Sequence, residues 1–233
     1  MTSSLIKNHD EVLELLKNKP KYLETFTTYA PAHRFIGANV TADSLSFSVR
    51  DEDGSVFAMA LGVAPLVVDC DRLATSRGVN VDTREFEHRA NWDFYSIDTA
   101  PFGGLQEVQK TNANQEIKEF LEKHAPNSSV WPGNEEILFW GQICRNDQLV
   151  ATGTLVKWRT GQVMFASIAT HQDFRGQGLA QKLVSQMLCS AERLGIKHVG
   201  LGVFAENFSA KRTYEKVGFE LIGEFSSYSK ITR

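Results

Sequence analysis

The chain has 233 residues, of which 42% are hydrophobic and 23% charged, and its formal net charge is −3 at pH 7. This composition is ordinary for one large or two smaller globular domains, and it lacks the strong basic charge of many nucleic-acid-binding proteins. No apolar run approaches the ~20 residues that span a membrane, and residues 1–10 lack the apolar core of a signal peptide. We therefore expect a cytoplasmic protein that binds neither nucleic acid nor membrane.

The cysteines and histidines do not suggest a metal site. Cys70, Cys144 and Cys189 are odd in number and far apart, which matches neither a zinc-binding motif nor a disulfide framework. The six histidines show no metal-ligand spacing either. We expect reduced thiols and no bound metal.

The first half of the chain predicts helical structure followed by a β-hairpin. Apolar residues recur at helical spacing across residues 11–29, and Pro20 interrupts the pattern. Asp53-Gly54 is a strong hairpin signal between two β-prone runs. The predicted ranges are 45–50 and 56–68 for the strands and 72–89 for a helical or irregular segment.

A turn-rich segment at residues 98–104, followed by a polar stretch at 106–114, marks a candidate boundary. We accordingly predict two domains, 1–108 and 109–233. The second domain is predicted to contain helices at 115–124 and 178–194 and strands at 136–145, 148–158 and 162–170.

The most informative stretch is Ile168-Ala-Thr-His-Gln-Asp-Phe-Arg-Gly-Gln-Gly-Leu-Ala180. A strand ends here, and two glycines open a long amphipathic helix whose free N–H groups and dipole favour an anion such as pyrophosphate. A P-loop needs Lys-Ser/Thr after the last glycine, and a dinucleotide fingerprint needs a third glycine where Ala180 stands. A tight turn that binds nothing is the alternative from this motif alone.

A second motif follows an apolar run and predicts a short helix with defined ends. Asn207 is suited to cap the start of the helix, and Ala210 and Tyr214 lie on one face. Gly218 suits the left-handed position at the end, with Phe219 packing back on the last turn.

Together the two motifs, Arg-x-x-Gly-x-Ala and Asn-x-x-Ala-x-x-x-Tyr-x-x-x-Gly-Phe, resemble the GCN5-related N-acetyltransferase (GNAT) superfamily from about residue 112 onward. The resemblance implies an α+β fold with three layers, in which a mixed, splayed sheet flanked by helices binds acetyl-CoA. The first half resembles the degenerate N-terminal portion of two-domain bacterial members, a smaller α+β domain without cofactor.

The resemblance also implies roles for individual residues. The pyrophosphate lies on the amides from Gly176 to Gln181, the backbone of 168–170 binds the pantetheine arm, and Tyr214 protonates the departing thiolate. A tyrosine packed on the inner face of a helix is the alternative for Tyr214. The implied cofactor-binding residues are Ile168, Ala169, Thr170, Arg175, Gly176, Gln177, Gly178, Leu179, Ala180, Gln181 and Asn207.

The general base remains unassigned. Gln162 and Gly202 stand where many relatives carry a glutamate, and neither accepts a proton at neutral pH. Residues of a suitable type are Glu135, Glu136, Asp93, Glu206 and His171, although solvated surface charge is the commoner role for any one of them.

We therefore expect an enzyme that moves an acetyl group from acetyl-CoA to a primary amine of a small molecule by direct attack. The missing glutamates leave a catalytically quiet acyl-CoA-binding module as one alternative, and a protein N-acetyltransferase is another. The sequence does not identify the amine, and it leaves open whether two chains form a homodimer.

Overall fold

The computed structural model describes residues 5–62, 69–159 and 161–231 of the chain. In this part of the chain the α-helices are α1 (His9–Leu16), α2 (Pro20–Tyr29), α3 (Asn114–His124), α4 (Leu179–Arg193) and α5 (Phe208–Val217). The strands are β1 (Phe35–Val40), β2 (Leu45–Arg50), β3 (Val56–Leu61), β4 (Arg72–Ser76), β5 (Phe86–Asp98), β6 (Gln109–Thr111), β7 (Ile137–Arg145), β8 (Gln148–Lys157), β9 (Val163–Thr170), β10 (His198–Phe204) and β11 (Glu220–Lys230). A mixed sheet flanked by helices confirms the α+β class.

The described residues form two compact units. Among the described residues, the first unit draws on 5–62, 69–94, 203–206 and 221–231, and the second on 95–159, 161–202 and 207–220. The chain thus passes to the second unit within β5 and not at the predicted boundary of 108/109. The turn-rich segment at 98–104 marks the end of this long strand, because turn residues record a reversal of the chain and not the limit of a packed core.

The first unit contains α1 and α2 and strands in the order β1-β2-β3-β4-β11-β5. Pro20 opens α2, as expected of a proline at the first position of a helix. Phe26 of α2 is fully buried and packs edge-on against Phe35 and Phe47, with ring centroids 5.6 and 5.4 Å apart. These aromatic contacts fasten the helical layer to the strands.

The predicted β2–β3 hairpin is confirmed as far as Leu61, and residues 63–68 lie outside the described residues. The helical or irregular assignment of 72–89 is wrong at both ends, since β4 occupies 72–76 and β5 begins at Phe86. Leu73, Ala74 and Thr75 are all buried in β4, which runs parallel to β3. A short apolar run of this kind has no periodicity that separates strand from helix.

In the second unit the strand order is β10-β9-β8-β7-β6. The helices and strands predicted from residue 115 to 194 are confirmed to within one residue at each end. Strand β6 was missed within the polar segment 106–114; it pairs with β7 at the edge and leaves Gln109 and Lys110 exposed. Backbone pairing at a sheet edge requires no apolar alternation, so composition gave no signal.

Helices α3 and α4 cover opposite faces of these strands. Trp140 of β7 packs in a cluster with Ile117 and Phe120 of α3. A Cβ on the next residue, Gly141, would instead lie 3.2 Å from Met187 of α4. Because neighbouring residues of a strand point to opposite faces, the sheet of the second unit is enclosed on both sides.

Candidate active site

The second unit has an opening between two of its parallel strands. Strand β9 pairs with β10 at only two positions, Met164 with Gly200 and Phe165 with Leu201. On its other side β9 stays paired with β8 as far as Thr170. From residue 166 to 170, therefore, no described residue of β10 pairs with the edge of β9. Such an edge offers backbone N–H and C=O groups to an extended ligand.

A bulge shapes this exposed edge. Thr152 and Thr154 of β8 pair with Ala169 and Ala166, so that Gly153 between them faces two residues, Ser167 and Ile168. Ser167 has a positive φ of 52°, which is unfavourable for a residue with a Cβ.

The side chain of Ser167 holds the bulge in place. Its Oγ donates to the carbonyl of Val130 at 2.6 Å and accepts from the N–H of the same residue at 3.2 Å. The two hydrogen bonds fix the segment before β7 against β9. Neither Ser167 nor Gly153 was identified by the sequence analysis, because a bulge depends on pairing between strands.

The predicted anion site follows β9. After a 3-10 turn at Gln172–Phe174, Gly176 and Gly178 both adopt φ of 75°, a left-handed conformation that glycine reaches without strain. Helix α4 begins at Leu179, and its first turn has no side-chain cap. The backbone N–H groups from Gly176 to Gln181, called here the amide row, donate to no acceptor among the described residues.

The chemistry of the amide row suits an anion. The segment 176–178 is exposed, and α4 is 15 residues long, so that partial positive charge accumulates at its start. Backbone N–H groups left without partners need water or a ligand to accept from them. An extended phosphate or pyrophosphate group provides several acceptor oxygens for such a row.

Arg175 connects the loop to the surrounding elements. Its Nε donates to the carbonyl of Thr170 at 3.2 Å, and its Nη2 donates to the carbonyl of His124 at 3.1 Å. The guanidinium therefore joins the end of β9 to the end of α3. Arg145 of β7 also contacts the loop, since its Nη1 donates to Oε1 of Gln177 at 2.6 Å. Arg145 was missed, because its position on β7 is distant in sequence from the loop.

Two histidines lie beneath this loop. The rings of His124 and His171 are 4.2 Å apart, and both side chains are largely buried. Nδ1 of His171 accepts from the N–H of Asp173 at 3.2 Å and caps the 3-10 turn. Burial is the largest cause of a lowered pKa at His124, and the neighbouring His171 is the next. His171 thus supports the turn instead of standing exposed as a base.

Helix α5 carries Asn207 and Tyr214. Asn207 caps the helix, since its Oδ1 accepts from the N–H of Ala210 at 3.1 Å, and Gly218 ends it with φ of 109°. Tyr214 is 8% exposed and lies 5.8 Å from the ring of Phe219. Burial raises the pKa of Tyr214 to about 12. No described residue hydrogen-bonds to its hydroxyl group, so the phenol shares its proton with no other side chain of the described chain.

The parallel strands bring the starts of both helices to one edge of the second unit. Helix α4 follows β9, and α5 follows β10. The carboxyl ends of parallel strands lie at the same edge of a sheet, and α4 packs against α5. The sheet topology therefore brings the predicted residues of β9, the amide row and α5 to a single edge.

The candidate bases are not gathered in the same way. Asp93, fully buried in the first unit, forms an ion pair with Arg77, and Glu136 accepts from the N–H of Arg159 at 2.7 Å. Glu135 and Glu206 are exposed. No base is assigned on this geometry. In the described part of the chain there is no group of three or more His, Cys, Asp or Glu residues able to hold a metal ion.

No helix within the described ranges is both long enough and apolar enough to cross a membrane.

Solved structures with similar folds are known. A GCN5-related N-acetyltransferase from Kribbella flavida has a TM-score of 0.55 and 12% identity over 91% of this chain and 96% of its own. The GCN5-related N-acetyltransferase from Sphaerobacter thermophilus gives 0.54 and 11%, covering 92% of this chain and 86% of its own. An acetyltransferase from the GNAT family of Colwellia psychrerythraea gives 0.51 and 13%, covering 98% and 99%. At these identities the likeness shows the fold.

Sequence comparison provides the family. No curated protein matches the chain. The profile of the acetyltransferase (GNAT) family matches residues 92–219, which is more than half of the 233 residues. The match includes the amide row, the bulged strand and Tyr214, and it confirms the resemblance drawn from the motifs. The chain therefore belongs to the acetyltransferase (GNAT) family.

Proposed function

We propose that the chain is an N-acetyltransferase that moves an acetyl group from acetyl-CoA to a primary amine of a small molecule. The single observation that carries the proposal is the amide row beside the opening between β9 and β10. Six consecutive N–H groups without acceptors in the described chain fit the pyrophosphate of coenzyme A. The unpaired edge of β9 fits an extended, amide-containing arm.

Each predicted cofactor residue has a part in this arrangement. Main-chain amides of Gly176 to Gln181 bind the pyrophosphate, and the backbone of Ile168 to Thr170 binds the pantetheine arm. Arg175 is assigned a positioning role, because its guanidinium already donates to two backbone carbonyls. Asn207 contributes by fixing the start of α5, which carries Tyr214.

Acetyl-CoA supplies the activated acyl group when it is bound. Backbone N–H groups beside the opening of β9 stabilise negative charge that develops on a carbonyl oxygen. Tyr214 keeps its proton on the phenol oxygen over the whole neutral range, because its pKa is raised to about 12. We assign the protonated phenol as the proton donor to the departing thiolate, although burial makes it a weaker acid than an exposed tyrosine. We assign deprotonation of the amine to no residue.

The test is turnover of acetyl-CoA with a panel of primary amines, followed by release of free thiol. We expect Tyr214→Phe to lower kcat by roughly 100-fold or more, in the range typical of a lost general acid, while acetyl-CoA still binds. Tyr228→Phe is the matched control, since it removes a phenol from β11 in the first unit.

The alternatives predict different outcomes of the same experiment. A quiet acyl-CoA-binding module binds acetyl-CoA but releases no thiol with any amine. A protein N-acetyltransferase is inactive on the small amines and acetylates peptides. Unchanged turnover by Tyr214→Phe with small amines would show that the phenol hydroxyl takes no part in the mechanism.

A further inference from the structure

The histidine pair beneath the loop takes no direct part in the proposed transfer reaction. The rings of His124 and His171 are 4.2 Å apart, and Phe120 and Phe174 pack against His171 with centroids at 6.3 and 5.4 Å. Nδ1 of His124 is buried and has no hydrogen-bond partner among the described residues. Two buried imidazoles at this distance repel each other when both are charged, so their uptake of protons is coupled.

His171 has two alternative arrangements with a single neighbour, Asp173. In the structure its Nδ1 accepts from the N–H of Asp173 at 3.2 Å, which requires a neutral ring because a protonated imidazole has only donors. Oδ2 of Asp173 lies 3.8 Å from the same Nδ1, on a side chain that is 72% exposed. A protonated Nδ1 is repelled by the N–H and attracted by the carboxylate. Uptake of one proton therefore favours the second arrangement over the first.

The charges around the pair favour protonation of His171 over His124. The charged groups near the two rings and the adjoining Phe174 come from α3, the loop and the end of β7, and they are Lys123, Asp173, Arg175 and Arg145. Burial is the largest cause of the lowered pKa of His124, and the cations Lys123 and Arg175 lower it further. His171 has the carboxylate of Asp173 beside its Nδ1. The first proton therefore goes to His171.

The 3-10 turn connects His171 to the amide row. His171 caps the turn with its side chain, and its carbonyl accepts from the N–H of Phe174 at 3.0 Å. Arg175 alone separates the turn from Gly176, where the amide row begins. Loss of the cap therefore loosens the segment that sets the direction of the first N–H groups of the row.

We infer that His171 is a positioning residue whose neutral ring holds the amide row in its anion-binding conformation and whose protonation weakens the binding of coenzyme A. The inference rests on the proposed function, because it concerns the same row of amides. Histidine ordinarily titrates near pH 6.5, so affinity is complete above this region and falls below it. Acidity thus regulates cofactor binding through a side chain that does not touch the cofactor.

Calorimetric titration with 3′-dephospho-coenzyme A between pH 8 and 5.5 tests the inference. This probe carries the diphosphate but lacks the phosphate monoester, whose own ionisation near about pH 6 would add a pH dependence. We expect the Kd of the wild-type chain to rise roughly fivefold or more on acidification, the effect of one lost cap. His171→Asn keeps an acceptor that does not titrate, so it should bind like wild type at pH 8 and retain that affinity at pH 5.5.

Two further variants complete the test. His198→Asn is the matched control, because His198 also lies beside an aspartate, with Nδ1 3.1 Å from Oδ1 of Asp98, but at the start of β10. It should keep the pH dependence of the wild-type chain. Asp173→Asn removes the carboxylate that favours the protonated ring, so the fall in affinity should move to lower pH. Circular dichroism melting at each pH verifies that every variant is folded.

The possible results are distinct. Equal wild-type affinity at pH 8 and 5.5 overturns the inference, and so does the same fall in His171→Asn. A fall that stays at the same pH in Asp173→Asn also contradicts it. A fall that disappears in His171→Asn and persists in His198→Asn supports it. Failure of the folded wild-type protein to bind the probe at pH 8 contradicts the proposed function itself.

Discussion

At the residue scale, the bulge of β9 depends on a glycine of the neighbouring strand. A Cβ on Gly153 would lie 2.3 Å from Cδ1 of Ile168 and 3.4 Å from Sδ of Met187. The first distance is far inside van der Waals contact, so Ile168 would have to move. Because Ile168 belongs to the edge proposed to bind pantetheine, packing at Gly153 is coupled to the shape of that edge.

Replacing Gly153 by alanine is expected to destabilise the fold by about 1–3 kcal/mol, the usual cost of overpacking. Ile168→Val removes the δ-methyl that the new Cβ meets, so the double variant should recover much of the loss. Urea unfolding measures both effects. Gly104→Ala is the control, since a Cβ there meets nothing within 4 Å. Additive losses in the double variant would show that the contact with Ile168 is not the cause.

The buried phenol of Tyr214 makes a prediction about pH. Its pKa is raised by burial from 10.0 to about 12, so the unfolded chain ionises first. The contribution of the neutral phenol to the stability of the fold is fully present below about pH 10 and is lost as pH rises toward 12. Between pH 8 and 11, the midpoint temperature of thermal unfolding should therefore fall more steeply for the wild-type chain than for Tyr214→Phe. The same pH dependence in both proteins would show that burial does not raise the pKa of this phenol.

At the scale of elements, the loop before α4 requires left-handed backbone at two positions. Gly176 and Gly178 have φ of 75°, and a Cβ on either one would meet nothing within 4 Å. Substitution there is therefore opposed by backbone conformation and not by a clash. The same is true of Gly54 in the β2–β3 hairpin, with φ of 87°.

This equivalence gives a controlled test of the loop. Gly178→Ala and Gly54→Ala should each lose about 1–2 kcal/mol of stability, the cost of a left-handed residue with a Cβ. Only Gly178→Ala should weaken binding of coenzyme A, because its strain redirects the amide row. Urea unfolding and calorimetry measure the two quantities. Equal affinity of the two variants for coenzyme A would show that the loop does not bind the cofactor.

The histidine pair under the loop predicts sensitivity to acid. Burial is the largest cause of the lowered pKa of His124; the neighbouring His171, Lys123 and Arg175 lower it further, and Asp173 raises it. Stability from neutral His124 is therefore present above about pH 6.5 and is lost as pH falls through its lowered pKa.

Replacement of His124 removes this titration. Between pH 7 and 4.5, His124→Gln should lose less stability on acidification than wild type, as measured by urea unfolding at each pH. His33→Gln, which changes an exposed histidine, should follow the wild-type curve. An unchanged acid dependence in His124→Gln would show that protonation of His124 does not contribute to the loss of stability at low pH.

At the scale of the whole molecule, the sequence predicted what is encoded locally. Asn207 and Gly218 fix the ends of α5 through their own side-chain and backbone properties, and the glycines at 176 and 178 mark the start of α4. Features that arise between distant segments were missed. The bulge at Ser167 depends on its pairing with β8 and on its bond to Val130.

The limits of the two units show the same division between local and distant information. Residues 203–206 and 221–231 group with the first unit although each segment follows a part of the second unit in sequence. No turn or composition change announces this return, because it depends on strand pairing such as that of β11 with β4. The family match begins at residue 92, near the point where the chain leaves the first unit.

Hydrogen–deuterium exchange of the peptide covering residues 175–182, with and without acetyl-CoA, tests the central claim most directly. The amide row has no acceptor in the described chain, so its exchange is expected to be fast in the free protein and markedly slower with saturating ligand. Residues 51–56 in the hairpin loop of the first unit should exchange equally in both samples. Unchanged exchange at 175–182 under saturation would contradict binding of the pyrophosphate by this row.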